Sequence, residues 1–282
     1  MALIPTPAEQ QSRGEFSRRA APFFRRNLLW IVAGSLAAGF LLAPWPFEVK
    51  AHAVLHGICG QTPSHTMTFA GMELPLDSRC VGIFGGLLVT FLLLIGLGRW
   101  RAAGLPSIGA GVLLLLFLGG MGLDGLNSLM TDLDRRHLYA PSNDLRLLTG
   151  WMAGVGLGSV LLMVTGMCLW ERPRTSMRVL PNWWWPVALL VPVLPVWLLL
   201  RTGWKVVFYP ASLGLIAAAV TAFATLAVCA IVMLRNRDNG YRQFDQLVPL
   251  ATIGVLIAVA LMLAISGGRF WMEDYFHLQP PA

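Results

Sequence analysis

The chain has 282 residues, 56% of them hydrophobic and only 12% charged, about half the charge content of an ordinary soluble domain. The apolar residues fall in long unbroken runs, which excludes a soluble globular enzyme and makes an all-α polytopic transmembrane bundle the expected fold. The net charge of +7 comes from short basic clusters beside apolar runs, with no basic stripe and no interleaved aromatics, so no nucleic-acid partner is expected.

Residues 1–26 form a polar, proline-containing tail with Arg13, Arg18, Arg19, Arg25 and Arg26. It lacks the short apolar core and small-residue cleavage site of a signal peptide and reads as a cytoplasmic tail ahead of an anchor helix. A hydrocarbon core of about 30 Å requires roughly 18 to 25 apolar residues of each crossing helix. Seven stretches are predicted to span: 27–45, 81–98, 108–130, 147–170, 183–200, 210–234 and 247–266. The fifth carries Pro186, Pro192 and Pro195 and is expected to be kinked, with neighbouring helices satisfying the freed carbonyls. Pro210 is expected in the first turn of the sixth. Residues 46–80 make an extracytoplasmic cap loop and residues 267–282 an extracytoplasmic tail.

The distribution of Lys and Arg sets the orientation. With the N-terminus cytoplasmic, the tail arginines join Arg99, Arg101, Arg172, Arg174, Arg178, Arg235, Arg237 and Arg242 inside, thirteen basic residues against eight outside. The C-terminus is then extracytoplasmic, and the expected location is a cytoplasmic-type membrane of a prokaryote. His52, His56, His65, His137 and His277 all fall on the outer side and none lies in a span, which leaves a b-type haem without axial ligands at membrane depth. There is no GxxxxGK[ST], HExxH or GxSxG motif, no GxGxxG following a strand, and no inverted pair of broken helices to suggest a secondary transporter.

Chemistry-bearing residues gather in 51–85. His52, His56 and Cys59 share one face if 51–60 is helical, and His65, Asp77 and Cys80 add further ligand types, a set suited to zinc or copper. Cys59 and Cys80 equally fit a disulfide closing a loop of about twenty residues, with about 3 kcal/mol of stabilisation, or a pair of free thiols. Metal and disulfide compete for the same side chains, and no cofactor is required by the sequence. Cys168 and Cys229 lie inside apolar runs, where cysteine acts as a small hydrophobe.

Asp124 is the acidic residue within an apolar span, about 24 Å along the third helix, with Asn127, Ser128 and Thr131 on its face. A polar face of this kind points into the bundle, here toward Arg79 or the cap loop, as a buried strut or as the wall of a pocket. Ser142 or Asn143 is placed to cap the fourth helix, with Asp144 in its first turn. Gly150, Gly154 and Gly158 repeat every four residues and make a groove for a close helix neighbour. Trp183, Trp184, Trp185, Trp197 and Trp204 sit where aromatic belts anchor helices.

The segments Cys59-Gly60-Gln61-Thr62-Pro63, Pro75-Leu76-Asp77-Ser78-Arg79-Cys80-Val81-Gly82-Ile83, Asp124-Gly125 and Ser142-Asn143-Asp144-Leu145-Arg146 with Thr149-Gly150 resemble the motif set of a family of bacterial and archaeal membrane proteins that carries a domain of unknown function. In that pattern Gly60 replaces a histidine and Asp77 a cysteine, so the resemblance implies that any Cys/His metal centre is depleted here, while Arg79, Gly82, Asp124, Asn143, Arg146 and Gly150 are retained. The expected function is a non-catalytic accessory or anchor subunit of a membrane complex, in contact with lipid and with other membrane subunits. The alternative is an extracytoplasmic metal or thiol-redox protein, or an enzyme acting on a small or lipid-like substrate beneath the loop. The candidate polar cluster is Arg79, Asp124, Asn127, Asn143 and Arg146.

Overall fold

The computed structural model describes residues 26–235 and 240–277; Arg13, Arg18, Arg19, Arg25 and Arg237 and the end of the C-terminal tail lie outside them. The first helix, α1, runs Arg26–Leu42. There follow α2 (Phe47–Leu55), a 3-10 turn (Pro63–His65), the strands β1 (Thr68–Phe69) and β2 (Met72–Glu73), α3 (Ser78–Gly96), β3 (Ala102–Gly104), α4 (Ile108–Asp132) and α5 (Asn143–Leu169). The chain continues with β4 (Arg174–Arg178), α6 (Trp184–Ala188), α7 (Val193–Arg201), α8 (Lys205–Leu234) and α9 (Phe244–Tyr275).

Among the described residues six helical stretches are long and apolar enough to cross a membrane: α3, α4, α5, the Trp184–Arg201 stretch that holds α6 and α7, α8 and α9. The first expected span corresponds to α1, which ends at Leu42 because Pro44 and Pro46 disfavour helical backbone in the residue before each. Lys50 Nζ then donates to the carbonyls of Leu41 and Ala43, 3.0 Å each, and closes the α1 C-terminus. The two small sheets, β1 antiparallel to β2 and β3 parallel to β4, are an addition to the all-α expectation. Pro210 lies beyond the first turn of α8, since that helix already begins at Lys205.

The bundle has two distinct ends. The cap (46–77), the α4–α5 loop and the C-terminal turns of α9 share one; β3, β4 and the start of α9 share the other, which is rich in arginine. The most intimate packing is between α3 and α5, where glycines face each other from both helices. A Cβ on Gly82 would sit 2.2 Å from the Leu147 carbonyl, and one on Gly150 2.2 Å from the Arg79 carbonyl. Gly154 and Gly158 meet the carbonyls of Ile83 and Leu87 in the same way, at 2.4 and 2.8 Å. Small residues on both sides let the backbones touch, which is how helices associate where lipid removes the hydrophobic drive. Beside this seam Trp151, 1% exposed, reaches across to the broken fifth span and donates from Nε1 to the Leu189 carbonyl at 3.3 Å. The break that Pro192 imposes between α6 and α7 thus finds a donor in a neighbouring helix.

Candidate functional site

Two polar assemblies lie at the cap end. The first ties α3, α4 and α5 together around Asp124, which is 1% exposed. Arg79, in the first turn of α3, donates from Nη2 to Asp124 Oδ2 at 2.6 Å and to Ser128 Oγ at 3.1 Å. The Tyr139 hydroxyl donates to the other oxygen, Oδ1, at 2.8 Å, and Thr149 Oγ1 sits 3.2 Å from Oδ2. Arg146 reaches Ser128 through Nε at 3.3 Å and Asn143 Oδ1 through Nη1 at 3.0 Å. Asn143 in turn donates to the cap carbonyls of Ser64 and Thr66. Asn127 faces the α4–α5 loop: its Oδ1 accepts from the N–H groups of Leu138 (2.7 Å) and Tyr139 (3.3 Å), and its Nδ2 donates to the Tyr139 carbonyl (2.9 Å).

Arg79, Asp124, Asn127, Asn143 and Arg146 therefore form one contiguous network. Its members come from the N-terminal turns of α3 and α5, which the glycine seam draws close, and from the C-terminal turns of α4 packed beside them. Partial burial and the bond to Asp124 hold the Tyr139 phenol above its ordinary range. Ser142 caps α5 by accepting from the Leu145 N–H at 3.2 Å. Asp144 accepts from Trp197 Nε1 at 2.8 Å and from Arg201 at 3.0 Å, so it also ties α7 to α5.

The second assembly clamps the cap to α9. His56 stacks on Phe270, with ring centroids 4.0 Å apart, and its Nδ1 and Nε2 lie 2.8 Å from Gln61 Oε1 and Glu273 Oε2. Arg269 donates to Glu273 Oε1 at 2.7 Å and to the carbonyls of His56, Cys59 and Gly60. Gly57 packs on the α9 backbone, where a Cβ would fall 2.5 to 2.7 Å from Ile265 and Ser266. Of these residues His56 and Cys59 are sequence candidates, whereas Arg269, Phe270 and Glu273 fall beyond the expected end of the last span at Ser266. The helix continues to Tyr275, and the i,i+4 pair Arg269 and Glu273 was the available signal.

The expected metal ligands are not brought to one point. His52 Nε2 donates to the Glu73 carbonyl at 2.9 Å, His56 belongs to the α9 clamp, and His65 pairs with Asp132 at 3.3 Å. Among the described residues no group of three or more His, Cys, Asp and Glu side chains is arranged to hold a metal. Only α2 to Leu55 is helical, so His56 and Cys59 leave the common face expected for 51–60.

Cys59 and Cys80 do meet. Their sulfurs are 3.1 Å apart as free thiols, and the Asp77 N–H donates to Cys59 Sγ at 3.3 Å. Asp77 Oδ1 accepts from the Thr62 N–H at 2.8 Å, which folds the 59–62 turn onto the start of α3. A Cβ on Gly60 would lie 3.5 Å from Asp77 Oδ2, so Gly60 and Asp77 adjoin each other beside the Cys59 and Cys80 sulfurs. The bond from the Cys80 thiol lowers the Cys59 pKa, burial opposes it, and backbone N–H groups add to the lowering.

No curated protein and no solved structure matches the chain. The Asp124 network and the thiol pair both lie within the one stretch that a family model covers, whereas Arg269 and Glu273 lie outside it. That stretch, residues 59–160, matches the family described as predicted membrane protein (DUF2085), an assignment consistent with its three apolar helices.

Proposed function

We propose that the protein is a non-catalytic accessory subunit of a membrane complex and that it contacts its partner through the α4–α5 loop. One observation carries this reading: residues 132–140 are all exposed, yet the loop is fastened from beneath by Asn127 and by the Tyr139 bond to Asp124. A loop that displays Arg135, Arg136, His137 and an 86% exposed Leu138 on a fixed backbone has its ordering cost already met before binding. Asp132 and Asp134 stand beside Arg135 and Arg136 on the same exposed loop, so its display is mixed in charge and partly apolar and suits a surface of the same mixed kind on a neighbouring subunit. The Asp124 cluster supports the same reading, since both carboxylate oxygens are occupied within the bundle. Cross-linking in the native membrane, followed by purification in mild detergent, tests it. A stoichiometric second subunit that is lost from an Arg135→Glu/Arg136→Glu/Leu138→Ser variant is expected; a wild-type chain that purifies alone, or a subunit retained by the variant, refutes it.

A second reading rests on the sulfur pair. At 3.1 Å, Cys59 and Cys80 need only a small approach to reach disulfide distance, and the lowered Cys59 pKa favours the attacking thiolate. In this reading a small disulfide oxidises the pair: Cys59 attacks it, Cys80 displaces the mixed disulfide, one S–S bond forms within the chain, and two thiols of the oxidant leave. Titration of purified protein before and after such oxidation is expected to show the loss of two of the four thiols. Unchanged thiol content in the oxidised sample counts against it.

A further inference from the structure

The arginine-rich end holds a feature that neither reading uses. Three segments converge there: residues 99–104 after α3, residues 170–178 after α5, and residues 240–246 at the start of α9. The Glu171 N–H donates to the Tyr241 carbonyl at 2.9 Å and the Tyr241 N–H to the Leu169 carbonyl at 3.1 Å. Between them lies a pocket of about 290 Å³ lined by Arg101, Glu171, Arg172, Tyr241, Arg242 and Gln243. Glu171 is taken up by a two-point ion pair with Arg242. Arg101 is held in place by the Arg242 carbonyl and presents a buried Nε without a partner among the described residues. Arg172 is exposed and has no hydrogen bond among them. The pocket therefore has an excess of two positive charges, and the exposed Arg174, whose N–H donates to the Arg101 carbonyl, stands beside it.

Each of the three segments also turns an aromatic residue toward the bundle. Trp100, Trp170 and Phe244 pack with centroids 4.5, 4.6 and 5.0 Å apart, and the Arg101 guanidinium lies 4.2 Å over Trp100 and 5.3 Å over Trp170. These rings head a groove of about 260 Å³ that runs between α3, α5, α8 and α9 with Leu29 of α1 on its wall, lined by Phe91, Ile95, Leu162, Val228 and Leu247 among others. The hydroxyls of Thr165 and Thr225 bond their own helices at 2.7 and 2.6 Å, so the groove wall is apolar. A cationic pocket set directly on an apolar groove between membrane-spanning helices complements one kind of ligand, an amphiphile with an anionic head and a hydrocarbon tail.

We propose that this end of the protein is a binding site for an anionic phospholipid. The phosphate sits between Arg101, Arg172 and Tyr241, and one acyl chain lies in the groove beneath Trp100, Trp170 and Phe244. The guanidinium of Arg101, stacked on two indoles, is preorganised to meet a phosphate at the boundary of water and hydrocarbon. A soluble phosphate compound would use the same arginines but leave the groove empty, and that difference separates the two sources.

The full chain in detergent, examined by native mass spectrometry, gives the test. Phosphatidylglycerol and phosphatidylcholine of identical acyl chains are the two lipid probes, and glycerol phosphate is the soluble one. Phosphatidylglycerol is expected to bind one to one and phosphatidylcholine far more weakly. Each arginine at a membrane surface is worth about fivefold in affinity, so Arg172→Gln is expected to weaken binding about fivefold and Arg101→Gln/Arg172→Gln about 25-fold. Arg172 carries no bond whose loss could unfold the protein, so the single variant decides the matter if the double variant does not fold. Ala251→Phe, which fills the groove, is expected to weaken phosphatidylglycerol without changing the thermal midpoint of the lipid-free chain, and Arg135→Gln at the opposite end to leave binding unchanged. Equal binding of the two lipids, or an Arg135→Gln loss as large as that of Arg172→Gln, overturns the proposal. Glycerol phosphate binding as tightly as the lipid, with Ala251→Phe inert, overturns the lipid assignment.

Discussion

Replacing Asp124 by Asn should be among the most damaging single changes in the chain. The substitution keeps the shape but strands the Arg79 guanidinium, now 2.6 Å from an amide in place of a carboxylate, and weakens the Tyr139 anchor on Oδ1. Breaking a buried pair by removing one partner costs about 3–5 kcal/mol. The Arg79 side chain keeps 25% of its exposure and so some water, which sets the expectation at the lower end, about 3 kcal/mol. At roughly 2–4 °C per kcal/mol for a chain of this size, the midpoint of thermal unfolding in detergent should fall by about 6–12 °C. A double-mutant cycle sharpens the test. Arg79→Met alone strands the carboxylate, whereas Arg79→Met with Asp124→Asn removes both charges of the pair, so the double variant should be more stable than the sum of the singles by about 2–3 kcal/mol. Additive singles, or an Asp124→Asn shift below about 2 °C, would show that the pair is not holding α3 to α4.

Asn127→Ala and Tyr139→Phe should each free the α4–α5 loop without unfolding the bundle, so trypsin should cut after Arg135 and Arg136 several-fold faster than in the wild type. Because Tyr139 is held above its ordinary value near 10, its contribution is present below that pH and is lost only as pH rises through the raised value, so the wild-type loop stays fastened across the range in which trypsin works. Gly154→Leu forces a side chain against the Ile83 carbonyl, 2.4 Å from where a Cβ would stand, and should lower the thermal midpoint sharply by parting α3 from α5. Gly34→Leu in α1, with nothing within 4 Å, is the neutral control. Alkylation of Cys59 by a small maleimide should reach half-maximal rate below the ordinary thiol value of about 8.5. The profile should survive Cys80→Ser, which keeps a donor, and move upward in Cys80→Ala.

How far the sequence could be read depended on whether a residue's partner was itself announced by local pattern. Asp124 was conspicuous because a carboxylate in an apolar helix has to find a donor, and Arg79 and Tyr139 supply two. Gly150, Gly154 and Gly158 announced a close neighbour by their four-residue repeat, although only the structure identifies it as α3, with Gly82 and Gly86 answering from the other side. The prolines of the fifth span announced a break, and the donor that satisfies it, Trp151, stands 38 residues away in α5. Where no local pattern points to the partner, periodicity is silent. Arg269 and Glu273 look like a polar tail after an apolar run because their partners, His56 and the cap carbonyls, lie more than two hundred residues earlier.

The arginine-rich end is the sharper case. Arg101, Arg172 and Arg242 each read as a topogenic charge beside a span, and that role is sufficient for each alone. Their convergence on one pocket follows from β3 pairing with β4 and from the Trp170 and Tyr241 bridge, contacts of long sequence separation that no hydropathy window registers. The same fold that brings the charges together stacks Trp100, Trp170 and Phe244 under them, so the orientation signal expected of these arginines and the proposed phospholipid site would share residues without competing. A substitution there is therefore expected to separate the two roles. Arg172→Gln leaves the basic excess of that end nearly intact, since Arg99, Arg101, Arg174, Arg178, Arg235 and Arg242 remain, and so leaves topology unchanged while weakening the phospholipid. Reporter fusions after Leu138 and after Arg178 read topology independently of lipid binding. A Arg172→Gln chain whose reporters invert would mean that the charge acts in orientation and that its loss from the pocket is incidental.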